Sequence, residues 1–551
     1  MEERIKKAIN TYLEEVGAPD TVCVVERPSV EAYGDYTTNA ALVVAKTLGR
    51  NPRELAETLA RYLLETLGAE VVSHVAVAGP GFVNITLTKE AIAQVIATVV
   101  AKGPEWGRGT REEGKRVMVE YSNPNAFKEM HIGHVVGSVV GEAVSRLIEN
   151  EGATLARDTF GGDIGPNVAK ALWGLRKEGV NNPTTAKEIG TAYAEGSTAY
   201  ENDPKAKEEI NALNQAIYAG TDRELMELWR RGRDVSTEEF RRLWRLLDIH
   251  FDFCFFDSDT TEIGMRVVYD GLEKGIFEKS DGAIIYNGED KGVHTMVFIT
   301  SHNTPTYEAK DIGLAFLKEE RWPSDRALII TGNEQTGRFK TVLRALADSA
   351  PLLAAKTTHI ATGFLKLTTG KMSSREGNII TAAEFIEDIT VKASKKNSDP
   401  LVAGQVAVGA IKYMILRQAP GSDILFDAEK SLSFEGDSGP YLQYALVRAR
   451  SVLVAGEKSG APGADAPESP YLLERLILHF PEIVARAARE LAPNLLVNYL
   501  TELAGEWNSF YAQERIVGGD HEAYKLRLAR AFVQTMTNGL ALLGIPAPEK
   551  M

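Results

Sequence analysis

Val117-Met-Val-Glu-Tyr121, the polar segment from Ser122 to Met130, and His131-Ile-Gly-His134 read in succession as an apolar strand, a loop and the opening of a helix. Such a unit directs the first N–H groups of the helix toward one place, a ready site for phosphate. His131 and His134 are three residues apart and share a helix face, so both imidazoles can point at one anion. Gly133, Gly137 and Gly141 recur every four residues and clear one stripe of that helix for a flat group or a second backbone. For the glycines alone tight helix packing is the plainer reading; the histidines tip the balance toward a site.

Working outward, strand and helix signals alternate to about residue 350, the pattern of a parallel sheet with covering helices, interrupted by a polar, mainly helical insertion at about 166–248. Upstream, beyond the Gly-rich connector 103–109, residues 1–105 form a separate α/β unit. It has an amphipathic first helix, a strand at Val22 to Val25, a helix from about Asn39, and another with Asn51 as N-cap and Pro52 in its first turn. Strand-like Val75-Ala-Val77 then enters the turn Gly79-Pro-Gly81. Downstream, a strand from His359 to Leu367 precedes a loop at Lys371. From about Phe434 the pattern is helical, broken by an exposed stretch at 456–470. The division expected is 1–105, 106–355, 356–430 and 431–551, an α/β multidomain chain ending in an all-α unit.

With 551 residues, 44% hydrophobic and 25% charged, the chain falls in the ordinary globular range and is too long for one core. The N-terminal segment lacks the apolar core of a secretory signal, and no apolar run approaches the roughly 20 residues of a membrane span, so a cytosolic address without membrane contact is expected. Cys23 and Cys254 are the only cysteines, which excludes a four-cysteine zinc site and disfavours a disulfide framework; both read as buried apolar fillers. The net charge of −14 argues weakly against a nucleic-acid partner, but basic residues can gather on one face.

In the segment 441–453, Leu442, Ala445, Leu446, Ala449, Val452 and Leu453 make one apolar helix face, and Tyr441, Tyr444 and Arg448 fall on another. Rings beside an arginine suit unstacked bases and phosphate, although partial burial is the commoner fate of such tyrosines. Phe82 and Asn84, two apart on a strand, face the same side. Phe82 alone could equally be core.

Lys371-Met372-Ser373-Ser374, between Gly370 and Gly377-Asn378, offers ammonium and hydroxyl donors suited to a triphosphate. With His131-Ile-Gly-His134 upstream, the chain resembles the class I aminoacyl-tRNA synthetases, whose nucleotide-binding fold carries a His-Ile-Gly-His and a Lys-Met-Ser-Lys-Ser element. It departs where Ser374 and Arg375 replace Lys and Ser, and Lys128 is the candidate for the missing charge. Glu120-Tyr-Ser-Asn-Pro-Asn125, Gly79-Pro-Gly-Phe-Val-Asn84, Tyr307-Glu-Ala-Lys-Asp311, the Tyr441 helix and the ending Leu543-Gly-Ile-Pro-Ala-Pro-Glu-Lys-Met551 look like the arginyl-tRNA synthetases over nearly the whole chain.

The resemblance implies a Rossmann-like parallel-sheet catalytic domain, a small N-terminal α/β domain meeting the tRNA D-loop, and an all-α anticodon-binding domain. It implies L-arginine, ATP with Mg2+ and tRNA(Arg) as partners of a monomer, and activation that needs bound tRNA. Its catalytic residues are His131, His134, Lys128 and Lys371, with Gly133, Gly137, Met372, Ser373 and Ser374 on ATP. A guanidinium is best held by carboxylates: Asp311 and Glu262 take that part, the latter from the shorter match Phe256-Asp-Ser-Asp-Thr-Thr-Glu262, with Tyr307 walling the pocket. Glu120, Asn125 and Gln335 fix the amino and carboxylate ends. Phe82, Asn84, Tyr441, Tyr444, Arg448, Tyr511 and Met551 face tRNA.

Three rivals are weaker. A cysteine or glutamate synthetase would want zinc ligands or basic residues where Asp311 stands. A small nucleotidyltransferase has no reason to carry over 100 helical residues at its C-terminus. A non-catalytic tRNA-binding relative would have eroded ATP motifs.

Overall fold

The computed structural model describes residues 1–368, 380–457 and 466–551. In the N-terminal unit, helices α1 (Glu2–Glu15), α2 (Ala40–Leu48), α3 (Pro52–Leu67) and α4 (Lys89–Lys102) accompany strands β1 (Val25–Glu26), β2 (Tyr36–Thr38), β3 (Val72–Ala78) and β4 (Phe82–Leu87). The strands form an antiparallel sheet ordered β1-β2-β4-β3. Ile5, Leu59, Leu63, Val83 and Ile85 are fully buried in its core. Asn51 caps α3 by accepting from Arg53 N, with Pro52 at the first position, as expected. The strand expected at Val22 to Val25 shrinks to its last residue plus Glu26, because Val24 N donates to the Asn39 side chain and Val22 is exposed.

Next come β5 (Arg116–Glu120), α5 (Ile132–Asn150), β6 (Thr154–Gly161), the helical insertion α6 (Pro166–Lys177), α7 (Ala186–Asn202), α8 (Pro204–Ala219) and α9 (Arg223–Leu246), then β7 (Phe253–Phe256) and α10 (Asp257–Glu273). A small antiparallel sheet of β8 (Glu278–Ser280), β9 (Ala283–Tyr286) and β10 (Met296–Ile299) precedes α11 (Tyr307–Arg321), β11 (Arg326–Gly332), α12 (Thr336–Ser349), α13 (Pro351–Lys356) and β12 (Thr357–Thr362). Strands β12-β11-β5-β6-β7 make one wholly parallel sheet in a doubly wound order.

The strand expected over His359 to Leu367 divides in two. β12 stays in the main sheet, whereas β13 (Leu365–Leu367) pairs with β14 (Ile424–Phe426). Between them Gly363 lets the chain pass Ser422, whose carbonyl oxygen lies 1.9 Å from where a Cβ would be. The rest is helical: α14 (Ala382–Ser394), α15 (Pro400–Leu416), α16 (Ala428–Ser431), α17 (Gly439–Gly456), α18 (Leu472–Leu478), α19 (Phe480–Glu490), α20 (Pro493–Gln513) and α21 (Glu522–Leu542).

α15 is apolar on every side and buried along most of its length, the mark of a helix at the centre of a fold. One apolar core joins it to α5, the central sheet and the C-terminal helices. Cys23 and Cys254, expected to be buried, are free and half-buried at the margins of two cores, where neighbouring side chains cover only part of each. Among the described residues no helix is long and apolar enough to cross a membrane.

Candidate active site

β5 has β6 on one side and β11 on the other, so successive crossovers leave in opposite directions and a crevice opens at the carboxyl ends of β5 and β11. A cavity of about 570 Å³ lies there, walled by Glu120, the loop after β5, the start of α5, Thr331-Gly332 and the first turn of α12. The loop holds left-handed backbone at Ser122, Asn123 and Phe127, side chains that rarely adopt it. It is held there because Trp244 Nε1 and Ser138 Oγ donate to Ser122 Oγ, and Phe127 N donates to Ser236 Oγ.

His131 and His134 both line this cavity with rings 3.7 Å apart. The start of α5 differs from the open phosphate site expected: Gly133 N donates to His131 Nδ1, Ile132 N to the Ile380 carbonyl and His134 N to the His131 carbonyl. The first amides are therefore spent on capping. His131 N in turn donates to His134 Nδ1. With each Nδ1 an acceptor, the proton of each neutral ring sits on Nε2. Burial lowers both imidazoles, His134 to about 3 with the help of neighbouring His131, so at neutral pH they are hydrogen-bond donors and not cations.

Three carboxylates on the cavity wall carry internal cations. Glu120 accepts from Lys318 Nζ at 2.6 Å and from Asn123 Nδ2 at 2.8 Å, and Lys318 also pairs with Asp158 at 2.7 Å. Asp257 pairs with Lys310 at 2.8 Å. Asp311 accepts from Arg338 Nη1. Burial raises Asp311 to about 7 and Asp257 to about 6, against the pull of those cations.

Asp257 and Arg338 escaped the sequence reading. Asp257 sits in the same short match that nominated Glu262, but at the end of β7, where the sheet edge meets the crevice; Glu262, further along α10, is exposed and absent from the cavity wall. Arg338 lies three residues after Gln335, and only the turn from β11 into α12 brings it inside.

Tyr307, Asn125 and Gln335 line the cavity as well. Asn125 Oδ1 accepts from Gly162 N and Gln335 Oε1 from Arg338 Nε, each at 2.8 Å, which leaves their amide N–H groups as donors. Gly133 and Gly137 are on the wall, while Gly141 meets Tyr121, whose Cγ lies 2.2 Å from where a Cβ would be. Lys128, expected to supply charge, instead packs 4.4 Å from the Tyr193 ring centroid on α7 and is not on the wall. The left-handed turn at Phe127 buries that ring against Gly232 and sends Lys128 toward the insertion. Lys371, Met372, Ser373 and Ser374 lie outside the described residues.

On α17 the expected apolar residues are buried, with Leu453 packed at the core margin. Tyr444 and Tyr511 are exposed, and Arg448 lies 4.3 Å from the Tyr511 ring centroid and 5.9 Å from that of Tyr444. Tyr441 accepts from Asn508 Nδ2, bridging α17 to α20. Met551 is half-buried against the main core. Phe82 is 40% exposed, so it is not core; Asn84 shares its face but is covered by the flanking strands.

Three family models match in order: the arginyl tRNA synthetase N terminal domain over residues 3–87, the catalytic domain of tRNA synthetases class I (R) over 95–428, and the DALR anticodon binding domain over 442–551. A doubly wound sheet with this crevice and this catalytic-domain match defines a class I aminoacyl-tRNA synthetase. An arginine–tRNA ligase of Treponema denticola is 30% identical, over 96% of this chain and 94% of the relative. The arginyl-tRNA synthetase of Thermus thermophilus superposes with a TM-score of 0.82 at 26% identity, covering 100% of both chains. That of Plasmodium falciparum, at 19% identity and a TM-score of 0.79, shares the fold over 100% of this chain and 98% of its own. The chain belongs to the arginyl-tRNA synthetase family.

Proposed function

We propose that the crevice between β5 and β11 is where the chain, an arginine–tRNA ligase by family, activates arginine with ATP, and that the pairs on its wall sort the substrate's groups. The observation that carries this reading is Asp311, a largely buried carboxylate that already holds a guanidinium within the cavity. Asp311 takes the substrate guanidinium, with Tyr307 along its stem. Glu120, kept in place by Lys318, takes the α-amino group. The amide N–H groups of Asn125 and Gln335 take the carboxylate.

The arginine carboxylate oxygen attacks the α-phosphorus of ATP, the bond to pyrophosphate breaks, and arginyl-adenylate forms. A terminal ribose hydroxyl of the tRNA then attacks the acyl carbon and AMP leaves. Such chemistry depends on positioning and on stabilising developing charge. The Nε2–H groups of His131 and His134 donate to the phosphate oxygens, and Lys371 with Met372, Ser373 and Ser374 binds the triphosphate. Gly133 and Gly137 leave room for the nucleotide. Magnesium arrives on the ATP phosphates; among the described residues no group of three or more His, Cys, Asp or Glu could hold a metal ion.

The cluster of exposed Tyr444 and Tyr511 with Arg448 between them, together with Tyr441 and Met551, reads the anticodon side of tRNA(Arg), and Phe82 with Asn84 meets its elbow. The chain works as a cytosolic monomer, and arginine activation waits for bound tRNA. Arginine-dependent ATP–pyrophosphate exchange tests the reading: exchange is expected with arginine alone among the amino acids and only when tRNA is present. Exchange driven by another amino acid would remove the substrate assignment, and equal rates without tRNA would remove the coupling.

A further inference from the structure

Of the three cations paired with Glu120, Asp257 and Asp311 on the cavity wall, two are sealed inside the protein. The Lys310 and Lys318 side chains are 4% and 9% exposed, and neither lines the cavity. Arg338 does line it, with its side chain 21% exposed. Its Nη1 donates to Asp311 Oδ2, its Nε donates to Gln335 Oε1 at 2.8 Å, and its guanidinium lies 4.5 Å from the Phe339 ring centroid. Asp311 is the group assigned above to the substrate guanidinium. The side chain occupying it ends in the same planar, permanently charged fork that arginine carries.

We propose that Arg338 is a displaceable internal guanidinium: it occupies Asp311 while no arginine is bound, steadied by its Nε on Gln335 Oε1, and substrate arginine enters by exchanging its own guanidinium for that of Arg338 on Asp311. The inference rests on the reading of Asp311 as the substrate's carboxylate. Like-for-like exchange leaves Asp311 paired with a guanidinium in both the empty and the bound state, where an unpaired buried charge would be strongly unfavourable. It also sets selectivity, because a ligand with an ammonium or neutral end must displace a forked donor with a poorer one. The consequence for affinity follows from competition: arginine binds only the fraction of molecules in which Arg338 has swung away.

The test is the KM for arginine in aminoacylation by the full chain at saturating tRNA and ATP, for wild type, R338Q, R338K and D311N. Measurement at pH 8.5 limits proton uptake by the uncovered Asp311 carboxyl. R338Q is expected to lower KM for arginine by about tenfold, the gain when a competent fraction of about a tenth becomes the whole, with KM for ATP unchanged. R338K, charged but without the fork, is expected between wild type and R338Q, and it decides alone if R338Q fails to fold. D311N is expected to raise KM by about 100-fold, as loss of a buried charged hydrogen-bond partner does. If D311N does so while the Arg338 variants leave KM unchanged or raise it, Arg338 merely positions Asp311 and the exchange is overturned. If D311N leaves KM unchanged, the substrate reading itself fails and the exchange falls with it.

Discussion

At the scale of single residues the site works with neutral imidazoles and paired carboxylates. His134 donates through Nε2–H because His131 N holds its Nδ1, so His134→Ala removes one preorganised donor and is expected to slow pyrophosphate exchange by on the order of 10²-fold or more. Lys371→Ala should do the same if the lysine loop meets the triphosphate; near-normal turnover in either variant would dismiss that residue's role. The buried ring also makes a stability prediction. Its folded pKa of about 3 lies below the 6.5 of an ordinary imidazole, so its contribution is full above pH 6.5 and is lost as pH falls toward 3. His134→Asn should flatten the dependence of Tm on pH across that window; an unchanged slope would count against a neutral His134.

At the scale of elements, close backbone and ring contacts fix which side chains the helices present. Tyr121 packs into the space over Gly141 and donates to Glu142, which Arg146 and Arg157 bind in turn, so the end of β5 is anchored to α5 one residue after Glu120. A methyl at Gly141 has to move that ring. Gly141→Ala should cost about 1–3 kcal/mol in stability and raise KM for arginine through displacement of Glu120. A variant that melts like wild type with an unchanged KM would mean that β5 and α5 are not coupled there. The glycine spacing was legible in the sequence, but not its split use: Gly133 and Gly137 face the cavity, and Gly141 serves packing.

Across the whole molecule, the N-terminal unit is fastened to the C-terminal helices rather than merely tethered. Arg475 on α18 pairs with the fully buried Asp35, whose other oxygen accepts from Leu87 N at 2.7 Å, and Tyr36 donates to Glu482 at 2.6 Å. The exposed pair Arg27–Glu502 joins the same two regions. Removing one partner of a buried pair leaves an uncompensated charge, so Arg475→Ala should cost about 3–5 kcal/mol and open the N-terminal unit to protease. Arg27→Ala should cost less than about 1 kcal/mol, as exposed pairs do. Equal effects of the two would show that the interface is held by its apolar contacts alone.

The sequence by itself determined the alternating strand–helix pattern of a parallel sheet, the capped helices and the two histidines, because periodicity, capping residues and short-range spacing act within a few residues of chain. Its resemblance to the arginyl-tRNA synthetases also marked Asp311, Tyr307, Asn125 and Gln335, which the fold brings to one cavity wall. Three things needed the tertiary structure. The protonation of His131 and His134 depends on burial and on which atoms their Nδ1 groups accept from, and the direction of Lys128 depends on left-handed backbone at Phe127. Another carboxylate of the cavity and its guanidinium, Asp257 and Arg338, are separated by most of the α10–α12 region and meet only through the crossovers of the sheet. Burial and charge pairing depend on distances in space, and over such separations only packing sets those distances.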